Sequence, residues 1–94
     1  MSKLNWSEKN GMIVLPEVVT LETIPKLLKP RGSLSLPVLD VDFAQVKQVD
    51  SAALALLLTW SANTPQGVIN VKNVSPDVLT LIQLYDLESV VVVA

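Results

Sequence analysis

The chain lacks cysteine and histidine altogether, and this absence excludes several kinds of site. Without cysteine there is no disulfide, no thiolate ligand for zinc and no thiol nucleophile. Without histidine there is no imidazole to act as a general base near neutral pH. The sequence also has only three glycines, and they do not form a glycine-rich phosphate-binding loop. We therefore expect no catalytic residues, no bound metal and no cofactor.

Charge is sparse as well. Charged residues make up 17% of the chain, the net charge is −2, and basic side chains gather only at Lys26, Lys29 and Arg31. A nucleic-acid partner is therefore not expected. The N-terminal residues lack the apolar segment of a signal peptide. The longest uncharged apolar run, residues 52–58, is far shorter than the roughly 18 residues that span a bilayer. These patterns predict a soluble or peripheral protein.

Apolar side chains, by contrast, are abundant. Hydrophobic residues make up 50% of the sequence, and its mean hydropathy is +0.47. We expect residues 1–94 to form one domain, and a domain this small cannot bury so much apolar surface by itself. Part of that surface is expected to face a partner, which favours a binding module over an enzyme.

Turn signals and apolar patterns predict the element order β-β-α-β-α-β-α-β. The predicted strands fall at residues 4–7, 12–15, 38–42, 68–72 and 90–93, and two of the helices at residues 51–62 and 75–85. The remaining helix carries apolar residues from 21 to 28 and has Thr20 or Thr23 as its N-cap; Pro25 fits best in the first turn, which favours the later start. The Asn10-Gly11 pair predicts a hairpin between the first two strands, and residues 30–33 are expected to form a loop. Strand–helix alternation after residue 38 predicts parallel, right-handed βαβ units. The fold class is therefore α/β with a mixed sheet.

Periodicity also predicts where individual side chains pack. Leu21 is placed with Ile24 on the buried face of the first helix. Strict alternation along the central strand puts Leu39 on the same face as Val41. Trp60, near the end of the second long helix, is expected at the edge of the core.

The most informative segment is the start of the helix at residue 51. A strand and a loop lead to Asp50 and Ser51, and apolar residues 52–58 follow directly. This pattern predicts that Ser51 caps the helix, its hydroxyl oxygen accepting a hydrogen bond from the backbone N–H of Leu54. Phosphate is electrostatically favoured at a helix N-terminus, so Ser51 is also a candidate phosphorylation site.

This segment resembles the STAS family, named for sulphate transporters and anti-sigma-factor antagonists. In that family a central strand ends in Asp, and a loop leads to Asp-Ser or Asp-Thr at the start of a helix. Asp42 matches the acid at the strand end, Asp50 the loop acid and Ser51 the phosphorylatable position. Ala52 and Ala53 depart from the pattern, since the family often has Gly or Ser there. The resemblance implies an N-terminal hairpin, parallel βαβ units and helices mainly on one face of the sheet.

Two shorter strings, residues 54–58 and 84–87, resemble a short bacterial STAS subgroup. Its members are the cytoplasmic subunit of the phospholipid ABC transporter that maintains outer-membrane lipid asymmetry. The resemblance implies a non-catalytic protein that binds the ATPase subunit and, through it, the permease complex. It also implies a cytoplasmic location, peripheral on the inner membrane, with no membrane span and no small-molecule substrate. The residues expected at the contact are Gln48, Asp50, Ser51, Ala52, Ala53 and Tyr85.

Other interpretations stay open. An anti-sigma-factor antagonist would share the fold, with Ser51 phosphorylated by a partner kinase. A small enzyme would use Asp40 and Asp42, which share one face of a strand, as an acid–base pair. A lipid carrier would need an internal cavity. Asp50 can equally be a loop acid near the helix dipole, and Tyr85 a core residue.

Overall fold

A computed structural model describes residues 4–29 and 32–94 of the chain, so positions 30 and 31 of the predicted loop lie outside the described residues. In chain order the elements are β1 (Asn5–Ser7), β2 (Met12–Val14), β3 (Val18–Val19), α1 (Ile24–Leu27), β4 (Asp40–Asp42), β5 (Gln48–Val49), α2 (Ala52–Ala62), β6 (Ile69–Lys72), α3 (Pro76–Leu84) and β7 (Val91–Val93). Ser33–Ser35 add a single turn of 3-10 helix between α1 and β4.

The main sheet has five strands in the order β1-β2-β4-β6-β7. β1 pairs antiparallel with β2 through the predicted hairpin, and each of the other neighbouring pairs is parallel. Ile13, Val41 and Val71 lie side by side across the three central strands. The mixed sheet with parallel βαβ units is therefore confirmed.

The helices cover one face of this sheet. Ile13, Val41 and Val71 are fully buried, and they form one core with the buried residues of α2 and α3. Their neighbours along the strands point to the other face; Asp40 and Asp42 are half-buried there, and Asn70 is exposed. This arrangement confirms the prediction that the helices lie mainly on one face.

A second, two-stranded sheet was not predicted. β3 and β5 pair in parallel, with Val18 opposite Gln48 and Val19 opposite Val49. Each of these strands is only two residues long, too short for an alternating pattern to mark it in the sequence. The pairing fixes the segment that leads into α2.

The first helix takes the later of its two predicted starts: Thr23 is the N-cap residue, Pro25 lies in the first turn, and α1 is only four residues long. The Thr23 hydroxyl accepts a hydrogen bond from Thr20 N–H at 2.9 Å and donates to the Val18 carbonyl at 2.9 Å. Because this side chain closes a turn before the helix, Leu21 does not lie on the helix's buried face. Its side chain is 73% exposed, so the prediction of a core position was wrong.

Alternation also fails where β4 begins. Val38 is fully buried, whereas Leu39 is 48% exposed, the reverse of the prediction. The N–H groups of Leu39 and Asp40 both donate to the Gly11 carbonyl, at 2.8 and 3.1 Å. Leu39 and Asp40 thus lie opposite the single residue Gly11 of the neighbouring chain segment, as in a β-bulge. The bulge shifts the alternation of buried and exposed side chains by one residue.

Trp60 lies at the centre of the core and not at its edge. Its side chain is fully buried, and its indole N–H donates to the backbone carbonyl of Ser33 at 3.0 Å. The bond satisfies the ring's polar atom inside the protein and fastens the segment before β4 to α2.

The start of α3 follows its sequence signals. The Ser75 hydroxyl accepts a hydrogen bond from Val78 N–H at 3.3 Å, Pro76 occupies the first helical position, and Asp77 lies in the first turn.

In the described part of the chain, no helix combines the length and the apolar character needed to cross a membrane.

Candidate functional site

Asp50, and not Ser51, caps α2. The Asp50 Oδ1 accepts a hydrogen bond from Ala52 N–H at 2.9 Å. Ser51 already has helical dihedral angles, φ −62° and ψ −17°, and its hydroxyl makes no capping hydrogen bond. Leu54 N–H instead donates to the Ser51 backbone carbonyl at 3.1 Å. The predicted side-chain bond to Leu54 was wrong because the helical geometry begins one residue earlier than the pattern indicated.

The same carboxylate holds a second segment. Asp50 Oδ2 accepts a hydrogen bond from the backbone N–H of Leu21 at 3.0 Å, across 29 residues of chain. One side chain therefore fixes both the start of α2 and the turn after β3. In the free chain Asp50 is a structural cap whose two oxygens each bind a backbone donor.

The residues predicted at the contact differ in exposure. Ser51 and Gln48 are exposed, and Ala52 is half-buried. Ala53, also expected at the contact, is only 2% exposed and belongs to the core. Because Ser51 makes no capping bond, its hydroxyl is accessible for contact or modification.

The outward face of α2 is a feature that the sequence analysis missed. Ala55, Leu58, Thr59 and Ala62 are exposed, and α2 carries no charged residue. Surface helices normally place charged side chains on the side that faces water. An uncharged, small-residue face with Leu58 44% exposed is typical of a helix that packs against a partner. The signal in the sequence was the absence of charge from residues 52–62.

Tyr85 does not join this site. α3 follows β6 and runs back along the sheet, so its C-terminal end lies near the start of β7. The start of α2 follows β4, at the opposite end of the parallel strands. Tyr85 is 52% exposed, which contradicts a core position for it, and the preceding Leu84 is exposed as well. Ser51 and Tyr85 therefore lie at opposite ends of the parallel strands.

Asp42 has a structural role at the end of β4. Its Oδ1 accepts hydrogen bonds from Ala44 N–H at 2.8 Å and from the Asn73 amide at 2.9 Å. These bonds join the loops that follow two neighbouring strands. Within residues 4–29 and 32–94, no three carboxylates come together in a group that could hold a metal ion. The contacts of Asp42 favour strand-end organisation over the acid–base pair with Asp40.

An open depression adjoins the start of α2. It has a volume of about 380 Å³ and combines polar, acidic and apolar side chains. The residues that line it are Val18, Thr20, Leu21, Glu22, Thr23, Gln48 and Asp50. Two residues of the predicted site, Gln48 and Asp50, thus share a surface with the turn that contains the exposed Leu21.

Comparison with known proteins supplies the identity of the fold. No curated protein and no solved structure matches the chain. A family model described as "Mlab, STAS domain" matches residues 2–93. The match spans both the Asp50-Ser51 segment and the mixed sheet with its covered face. The chain therefore belongs to the STAS family and is most like the Mlab type of STAS domain.

Proposed function

We propose that this chain is the non-catalytic STAS subunit of a phospholipid ABC transporter that maintains outer-membrane lipid asymmetry. It binds the cytoplasmic ATPase subunit, and through it the permease complex, and supports assembly or activity of that complex. The Mlab-type family match and the generally non-catalytic character of STAS domains support this role. The protein would be peripheral on the inner membrane through its partner, and the partner would bind ATP.

The uncharged outward face of α2 carries the proposal. Ser51, Ala55 and Leu58 are exposed along one side of the helix, at spacings of four and three residues. Small side chains let a partner backbone approach closely, and Leu58 offers apolar area to bury. A helix that binds nothing would gain solubility from charged residues on this face. Their absence fits a surface that is covered in the assembled transporter.

Ser51→Glu tests this docking face. The substitution places a carboxylate at the first turn of α2, where the helix dipole favours negative charge and the fold is retained. At a packed contact the added charge must be desolvated, so we expect the affinity for the purified ATPase subunit to fall at least tenfold, about 1.4 kcal/mol. Ser89→Glu is the matched control, since Ser89 is also exposed but lies in the segment before β7. Equal affinity of the two folded variants contradicts the proposal.

A second candidate function is an anti-sigma-factor antagonist switched by phosphorylation. The exposed Ser51 hydroxyl, which makes no capping bond, favours it. Against it, the roughly two negative charges of a phosphate would lie next to the Asp50 carboxylate, and these like charges repel. Intact-mass measurement of the protein isolated from its native cell, combined with identification of its bound partner, separates the two functions. A transporter ATPase supports the first, whereas a kinase with a phosphate on Ser51 supports the second.

A further inference from the structure

Leu21 is an exposed apolar side chain on a firmly held backbone. Its side chain is 73% exposed, yet its N–H donates to Asp50 Oδ2 at 3.0 Å. The turn around it is closed by Thr23, whose N–H donates to the Thr20 carbonyl at 3.0 Å and whose hydroxyl bonds both Thr20 and Val18. A partner that covers Leu21 therefore orders little backbone, which favours binding.

The depression beside Leu21 is acidic. Glu22 and Asp50 contribute carboxylates, and none of the described residues that line it is basic. The nearby Lys47 ion-pairs with Glu17 at 3.5 Å, and Glu22 has no ion-pair partner in the described part of the chain. Val18 and Leu21 give the same depression apolar walls. A side chain that is aliphatic along its stem and positive at its tip matches these two properties together.

We propose that Leu21 and this depression form a second contact point for the protein partner, whose docking segment seats an arginine or lysine between Glu22 and Asp50. The stem of that side chain packs on Leu21 and Val18, and its charged tip meets the carboxylates. The inference rests on the proposed function, since it extends the α2 contact with the ATPase subunit across Gln48 and Asp50. The partner contact then includes both the outward face of α2 and the turn after β3.

Two substitutions test the contact by measured affinity for the purified ATPase subunit of the phospholipid transporter encoded in the same genome. Leu21→Ala removes the apolar anchor, and we expect binding to weaken about tenfold. Leu84→Ala is the matched control because Leu84 is also 73% exposed but ends α3, at the other end of the parallel strands from the start of α2. We expect it to bind like the unaltered chain.

Glu22→Lys reverses one charge of the depression. We expect binding to weaken about tenfold at low salt, and the deficit to shrink at high salt as the repulsion is screened. Glu88→Lys is the charge-matched control and should bind normally. Circular dichroism confirms that each variant is folded.

The outcomes separate the two proposals. If the unaltered chain binds and Ser51→Glu abolishes binding, but Leu21→Ala and Glu22→Lys match their controls, the second contact point alone is overturned. If Glu22→Lys weakens binding equally at all salt concentrations, the seated cation is overturned. Failure of the unaltered chain to bind the ATPase overturns the proposed function and this inference together.

Discussion

Asp50 Oδ2 accepts a hydrogen bond from the backbone N–H of Leu21 at 3.0 Å, and Asp50 Oδ1 caps α2. This single side chain joins the turn after β3 to the helix that carries Ser51. The relative position of the two candidate contact points is therefore set by a residue that the sequence places only in a loop. Because Asp50 caps α2, the Ser51 hydroxyl is not needed for capping.

Alanine substitution of Asp50 and of its neighbour Ser51 is predicted to change the free energy of unfolding by very different amounts. Asp50→Ala loses the cap and leaves Leu21 N–H without its acceptor, so we expect the free energy of unfolding to fall by about 2 kcal/mol. Ser51→Ala should change it by less than about 0.5 kcal/mol. Urea denaturation of both variants measures the difference. Asp50→Asn retains one acceptor oxygen, so its loss in free energy of unfolding should lie between those of the two alanine variants. An equal loss in both alanine variants would contradict the assignment of Asp50 as the cap of α2.

Trp60→Phe should destabilise the protein by about 2 kcal/mol. The substitution leaves a void in the core and removes the donor to the Ser33 carbonyl. Trp6→Phe, at a half-buried site on the edge strand β1, is the control and should cost less than about 1 kcal/mol. Thermal unfolding followed by circular dichroism distinguishes them, and the reverse ranking would contradict the central position of Trp60.

Gly11 and Gly67 form a matched pair for testing the bulge before β4. Both have positive φ, +62° and +70°, so Gly→Ala introduces similar backbone strain of roughly 1 kcal/mol at each. A Cβ on Gly11 would lie 3.0 Å from the Leu39 Cδ1, whereas one on Gly67 meets nothing within 4 Å. We expect Gly11→Ala to cost about 1 kcal/mol more, because Leu39 must move. Denaturant midpoints that show no difference between the two variants would contradict the close approach of Leu39.

Most of the fold follows from patterns that span several residues. The hairpin at Asn10-Gly11, the alternation of strands and helices after residue 38, and the cap at Ser75 all reappear as predicted. Each of these signals lies within a few neighbouring residues, so a short stretch of sequence is enough to predict the element. The covered face of the sheet then follows from the handedness of βαβ units.

The errors arise where one long-range contact overrides a local pattern. Leu21 fits a helical spacing, but the Thr23 hydroxyl and the Asp50 carboxylate hold its backbone in a turn. Leu39 fits the strand alternation, but two N–H groups share the Gly11 carbonyl. Neither partner is visible from the spacing of the affected residue, because the partners are up to 29 residues away.

The residues predicted at the contact differ in where the structure places them. Ser51 and Gln48 are exposed next to the cap, whereas Ala53 is buried and Tyr85 follows α3 at the other end of the parallel strands. The exposed part of α2 could have been predicted from its lack of charge. The depression beside Leu21 could not have been predicted, because it depends on the pairing of β3 with β5, two strands too short to leave a pattern in the sequence.

Co-expression of this chain with the ATPase subunit of the phospholipid transporter from the same genome shows whether the two proteins form a complex. The purified mixture is measured by size-exclusion chromatography with light scattering. We expect the chain to co-elute with the ATPase at the mass of a complex, and Ser51→Glu to return it to its own elution volume. Elution of the unaltered, folded chain separately from a folded ATPase would overturn the proposed docking on the ATPase.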